Sequence, residues 1–199
     1  GLSPSRLLKL ASRPWQDEDF DPKDAAGVKA SFAALGRIDR VALCLASVVY
    51  LLHLGVALSE WRTARAGVDL ERLGFLGFTV ETPYGALRLQ GSGDDRDTTT
   101  PGPGLLTVDP WGNDTYEGRQ AVPASPAHPI STILDLAGND RYDGGDVAGT
   151  MGCGLFGLGA VVDLAGDDTY RVAASGLSCL PAFLLASASR YQTLLTFRT

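Results

Sequence analysis

Three stretches of the chain share one alternation of apolar and polar positions. LLTVD (105–109), STILD (131–135) and GAVVD (159–163) each run through β-branched and aliphatic residues to an aspartate. Period-two spacing puts Leu134 and Leu136 on one face of a strand, and Val162 and Leu164 likewise. A glycine with Asn or Asp follows, which supplies a positive-φ turn. Beyond the turn, Asp and Tyr at i and i+2, as in Asp140 and Tyr142, share a face of a second short strand. Each unit is therefore predicted as strand–turn–strand. The amino-terminal third follows another pattern. Asp24 is placed to cap a helix from about Ala25 to Leu35, closed by Gly36, and Asp39 to cap a second one through about Arg65.

The β units are copies of one motif. Residues 109–116 read DPWGNDTY, 135–142 read DLAGNDRY and 163–170 read DLAGDDTY, giving D-x-x-G-[ND]-D-x-Y at spacings of 26 and 28. A worn copy, GSGDDRD, stands at 91–97, with Asp97 in the tyrosine position. One such unit cannot bury its apolar face, whereas stacked copies can. The fold class expected is α+β: N-terminal helices over 1–68, then a short parallel β-solenoid (β-helix-like) region over 74–175, with 176–199 as a carboxy-terminal cap or irregular tail. A run of antiparallel hairpins is the competing arrangement, because strand–turn–strand is also a hairpin.

Charge sharpens the picture. Residues 91–170 hold 13 acids against 3 basic residues, while residues 1–90 are nearly balanced and the last 29 residues are basic. Nucleic acid is excluded as a partner for the acidic part. In a parallel stack, equivalent residues line up about 4.8 Å apart. Asp109, Asp135 and Asp163 form one column, Asp114, Asp140 and Asp168 a second, and Asn113, Asn139 and Asp167 a third. Carboxylates at that spacing repel by about 3.5 kcal/mol at an effective dielectric of about 20. Bound cations, water or outward splay must relieve this. Oxygen donors of this kind suit a hard cation, calcium before zinc. His53 and His128 lie far apart in the sequence and suggest no zinc site.

The turn sequences GNDTY (112–116), GNDRY (138–142) and GDDTY (166–170) resemble the hemolysin-type, or RTX-type, calcium-binding repeat. They are also similar to uncharacterised bacterial proteins with repeated LDLGGDDxY cassettes. The RTX likeness implies a parallel β-roll with Ca2+ in the turns and an extracellular or cell-surface setting in bacteria. On it, Asp114, Asp140 and Asp168 match the calcium-ligating aspartate, and Gly112, Gly138 and Gly166 the last turn glycine. The leading Gly-Gly pair is missing, replaced by Asp-Pro at 109–110 and Asp-Leu at 135–136 and 163–164. The copies are not tandem nonapeptides either, so the likeness is confined to the turns. Calcium ligation and purely structural Asp/Asn turns both remain open.

The remaining signals set the function classes. VALCLASVVYLLHLGVAL (41–58) carries no charge in 18 positions. It reads either as the buried helix of a soluble cap or as a membrane anchor. GCGLFG (152–157) matches a dinucleotide fingerprint literally, but a strand and turn follow it where a helix is required. A catalytic constellation is normally unique, whereas these acids come in triplicate. The expectation is a non-catalytic, repeat-bearing structural or interaction module stabilised by calcium, whose protein or glycan partner the sequence does not name. The alternatives are a membrane-anchored surface protein using 41–58, and a carbohydrate-active enzyme on a β-helix, which needs a non-repeated acid pair in a groove. Tyr116, Tyr142 and Tyr170 read as a packing ladder before a carbohydrate-binding strip. Cys44, Cys153 and Cys179 read as small buried residues.

Overall fold

The computed structural model describes residues 26, 29, 33, 36–68, 74–98, 104–123, 128–145, 150–154, 157–171 and 182–186. One long helix, α1 (Arg40–Ala64), precedes ten strands. These are β1 (Phe78–Thr82), β2 (Gly85–Leu89), β3 (Arg96–Asp97), β4 (Gly104–Asp109), β5 (Thr115–Glu117), β6 (Ile130–Asp135), β7 (Arg141–Asp143), β8 (Leu158–Asp163), β9 (Thr169–Arg171) and β10 (Ala182–Ala186). The long strands form a six-stranded sheet in the order β1-β2-β4-β6-β8-β10, and the short ones a four-stranded sheet, β3-β5-β7-β9.

This corrects the expected fold class. The β part is two separate sheets, one of them mixed, and not a parallel β-solenoid. A tight turn folds β1 back antiparallel onto β2, where Thr82 Oγ1 donates to the Gly85 carbonyl at 2.6 Å and accepts from Tyr84 N–H at 3.1 Å. Among the described residues each copy supplies two strands, one to each sheet. The helical region is corrected as well. Among the described residues it holds one long helix, α1, and of the helix expected over 25–35 only Ala26, Lys29 and Ala33 are described, all three helical. The tail at 176–199 is described only at β10, which pairs parallel with β8.

The copies do pair in register. Asp109, Asp135 and Asp163 are successive partners in the large sheet, and Tyr116, Tyr142 and Tyr170 in the small one. Between the sheets lie Ile133, Val161, Tyr116, Tyr142 and Ala121. The tyrosine rings stack at 4.9 and 4.7 Å, within 9° and 2° of parallel. The worn copy puts Arg88 in register with Thr107, and Asp97 with Tyr116. The core thus ends in charged residues at that side. Burial raises the Asp97 pKa, and the Arg88 charge offsets part of that rise.

Asp39 caps α1 as its position predicts, accepting from Val41 and Ala42 N–H at 3.1 and 2.9 Å. The helix is not the buried one of a soluble cap. Ser47 is its only buried residue, while Val41, Leu45, Val48, Val49, Leu52 and Val56 are 49–71% exposed on one face. Its other side, with Leu54, Leu58 and Trp61, overhangs Leu87, Leu106, Val108 and Leu134 of the large sheet across a cavity of about 350 Å³.

Candidate metal centre

Each copy turns from the large sheet to the small one at its G-[ND]-D segment, and the turns stack tightly. A Cβ on Gly112, where φ is +148°, would stand 2.7 Å from the Gly93 carbonyl oxygen. At Gly138 and Gly166 it would strike the carbonyl of the preceding turn glycine still more closely. Only glycine permits this approach, and it brings two side-chain ladders into being. On the solvent side, Asn113, Asn139 and Asp167 each donate a backbone N–H to the side chain one copy earlier (Asp94, Asn113 and Asn139) at 2.9–3.0 Å. On the inner side the direction reverses. Asp95, Asp114 and Asp140 donate backbone N–H groups to Oδ1 of Asp114, Asp140 and Asp168 one copy later, at 2.6, 2.6 and 2.9 Å.

The strand-end aspartates point at this inner ladder. Tyr116 Oη donates to Asp109 Oδ2 at 2.9 Å and to Asp135 Oδ2 at 3.2 Å. Tyr142 Oη donates to Asp135 Oδ2 at 2.8 Å, and Tyr170 Oη to Asp163 Oδ2. Three trios of carboxylates result: Asp95–Asp109–Asp114, Asp114–Asp135–Asp140 and Asp140–Asp163–Asp168, each with oxygens within 4.8 Å of one another. Oxygens no farther apart than that can reach a single ion with oxygen bonds of about 2.4 Å.

The central trio is distinguished by what its oxygens lack. Asp114, Asp135 and Asp140 are at most 2% exposed. Asp114 Oδ2, Asp135 Oδ1 and Asp140 Oδ2 have no hydrogen-bond partner. Buried polar atoms are normally paired, and leaving one unpaired costs about 1–3 kcal/mol. These buried clusters can hold a metal ion. Their donors are all carboxylate oxygens, the set a hard cation takes.

Electrostatics agrees with the geometry. Desolvation, then the charges of Asp114 and Asp135, push Asp109 up to about 9. Desolvation and the charge of Asp135 push Asp140 up to about 8. Burial first, with the charges of Asp163 and Asp114, takes Asp135 to about 6, although the Tyr142 and Tyr116 hydroxyls hold it down. Asp168 rises to about 7, chiefly from desolvation, and Asp114 is raised by the same cause. Asp143, at the end of β7, moves the other way. Slight burial raises it, but the Gly145 N–H and the Arg141 and Arg171 guanidinium groups outweigh that and lower it.

Of the nine residues expected as ligands, the trios contain Asp109, Asp114, Asp135, Asp140, Asp163 and Asp168. Asn113, Asn139 and Asp167 stand outside them, in the solvent-side ladder. The sequence reading missed Asp95, which its place in the GDD of the worn copy could have indicated. Tyr116 and Tyr142 are buried at 0% and 1% exposure, so the tyrosine ladder is core packing and offers no surface strip to a glycan. Cys153 is buried, as expected, but is disulfide-bonded, while Cys44 is free and exposed. A comparison with protein-family models, curated proteins and solved structures finds no match to this chain.

Proposed function

We propose that the chain is a non-catalytic repeat module whose stacked turns are held together by calcium. The observation that carries this reading is the set of three buried, unpartnered oxygens on Asp114, Asp135 and Asp140. Three carboxylates so close repel by about 3.5 kcal/mol per pair at an effective dielectric of about 20. A divalent cation turns that repulsion into attraction and supplies the missing partner to all three oxygens. Calcium suits the site better than magnesium, because it accepts irregular oxygen cages, whereas magnesium demands near-ideal octahedral geometry. The RTX-like turns favour the same ion, and the disulfide at Cys153 fits an oxidising, extracellular or cell-surface setting.

Calcium titration of the chelator-treated chain, followed by circular dichroism and calorimetry with magnesium as control, tests the proposal. Selective calcium uptake with a higher melting temperature is the expected result. A folded chain that neither binds calcium nor gains stability from it would reduce the aspartates to structural turn residues.

A second reading, that the module is held at a membrane through 41–58, is favoured by the exposed apolar face of α1. Its hydropathy and length are those of a spanning helix, and 6% of the apolar window is buried. Partition of the full chain into detergent or lipid vesicles tests it.

A further inference from the structure

We infer that the array takes one tightly held divalent cation, at Asp114–Asp135–Asp140, and not one ion per copy. The inference rests on the cation reading above and concerns how the site fills.

The three trios have the same composition but different wiring. In the central one, every member offers a buried oxygen without a partner: Asp114 Oδ2, Asp135 Oδ1 and Asp140 Oδ2. In each flanking trio only the shared member does, Asp114 on one side and Asp140 on the other. The strand-end aspartates explain the difference. Asp109 Oδ1 accepts from Trp111 N–H at 3.3 Å, and its Oδ2 from Tyr116 Oη at 2.9 Å. Asp163 Oδ1 accepts from Ala165 N–H at 3.3 Å, and its Oδ2 from Tyr170 Oη. Asp135 instead takes both of its tyrosine hydroxyls, from Tyr116 and Tyr142, on Oδ2. Its Oδ1 is left for an ion.

Sharing then works against the neighbours. An ion held by Asp114 and Asp140 engages the one buried unpartnered oxygen that each flanking trio owns. A second ion would also sit about one strand spacing, 4.8 Å, from the first. Two divalent ions repel four times as strongly as two unit charges at the same distance. The outer ends are more open as well, since Asp95 and Asp168 are only partly buried while the central three are buried.

Equilibrium dialysis of the full chain against calcium, with native mass spectrometry to count ions, provides the test. One tight equivalent is expected. Asp135→Asn should weaken it by about 100-fold or more, the upper end of what losing a metal site's supporting bonds costs. Asp167→Asn, in the exposed solvent-side ladder and outside the trios, should keep one equivalent with affinity within about three-fold, since only screened surface charge is removed. Three equivalents of equal affinity would overturn this inference and leave the calcium reading standing. No uptake by the folded chain would overturn both. The ion count on the unaltered chain decides the matter even if a variant fails to fold.

Discussion

The stacked turns and helix α1 break the usual rule of burial in opposite directions. In the turns, Asp109, Asp114, Asp135, Asp140 and Asp163 are inside, at 0–2% exposure. In the helix, six Val and Leu side chains are outside. Buried charge and a contiguous exposed apolar face are the two informative departures from ordinary surfaces. Each costs free energy that something must offset. For the acids, the proposed partner is a cation. For the helix, on the second reading, it is a lipid bilayer, whose thickness the helix length matches.

The stacked turns are most vulnerable at their glycines. Gly138→Ala drives a Cβ into the Gly112 carbonyl and against the Asp140 carboxylate. We expect a loss of about 3 kcal/mol or more, in the range of overpacking and backbone strain. Urea unfolding, with and without calcium, measures it. An alanine tolerated within 0.5 kcal/mol, the usual scatter of surface changes, would mean that the turns are looser than described.

Next comes pH. The carboxyls of Asp109, Asp135, Asp140 and Asp168 hold their protons more tightly folded than unfolded, so their contribution is stabilising below the ordinary value of 3.8. It is lost as pH rises through the folded values of about 6, 7, 8 and 9 at Asp135, Asp168, Asp140 and Asp109. The metal-free chain should therefore melt lower at high pH than near pH 5. The drop should exceed about 4 °C, the shift that 1 kcal/mol produces in a small domain. Saturating calcium should reverse the slope, because ions bind the deprotonated ligands. Calorimetry across pH, with and without the ion, reads both effects. A melting temperature flat in pH without metal would show that the acids are solvated.

Within the helix, the two sides should respond differently. Leu58→Asp places a charge over the large sheet and should cost about 2 kcal/mol. Leu52→Asp, on the 65%-exposed side, should leave the isolated chain within about 0.5 kcal/mol of the parent. The same Leu52→Asp variant should reduce vesicle binding several-fold if lipid covers this face. Denaturant unfolding and vesicle flotation separate the two. Unchanged flotation would remove the membrane as the occupant of that face.

Local chemistry made much of the molecule legible. The cap at Asp39, the strand ending at each aspartate, the glycine turn and the tyrosine two residues beyond the turn aspartate all follow from short-range rules. Repetition itself announced the register, since one residue of slip would turn every apolar side chain outward. Two features escaped because they depend on partners distant in the chain. The fold of the β part was not solenoidal, because β1 found β2 antiparallel and each copy contributed one strand to each of two sheets. Asp95 escaped because its tyrosine had been replaced and its copy looked spent.

The sequence alone determined that three equivalent acid-bearing turns exist, because backbone conformation and alternation are written in neighbouring residues. It could not determine that they are unequal. The tertiary structure decided that Asp135 takes two tyrosine hydroxyls on one oxygen and leaves the other bare, while Asp109 and Asp163 are paired on both. Hydrogen-bond satisfaction is counted in space, between residues 19 to 28 positions apart as well as close neighbours.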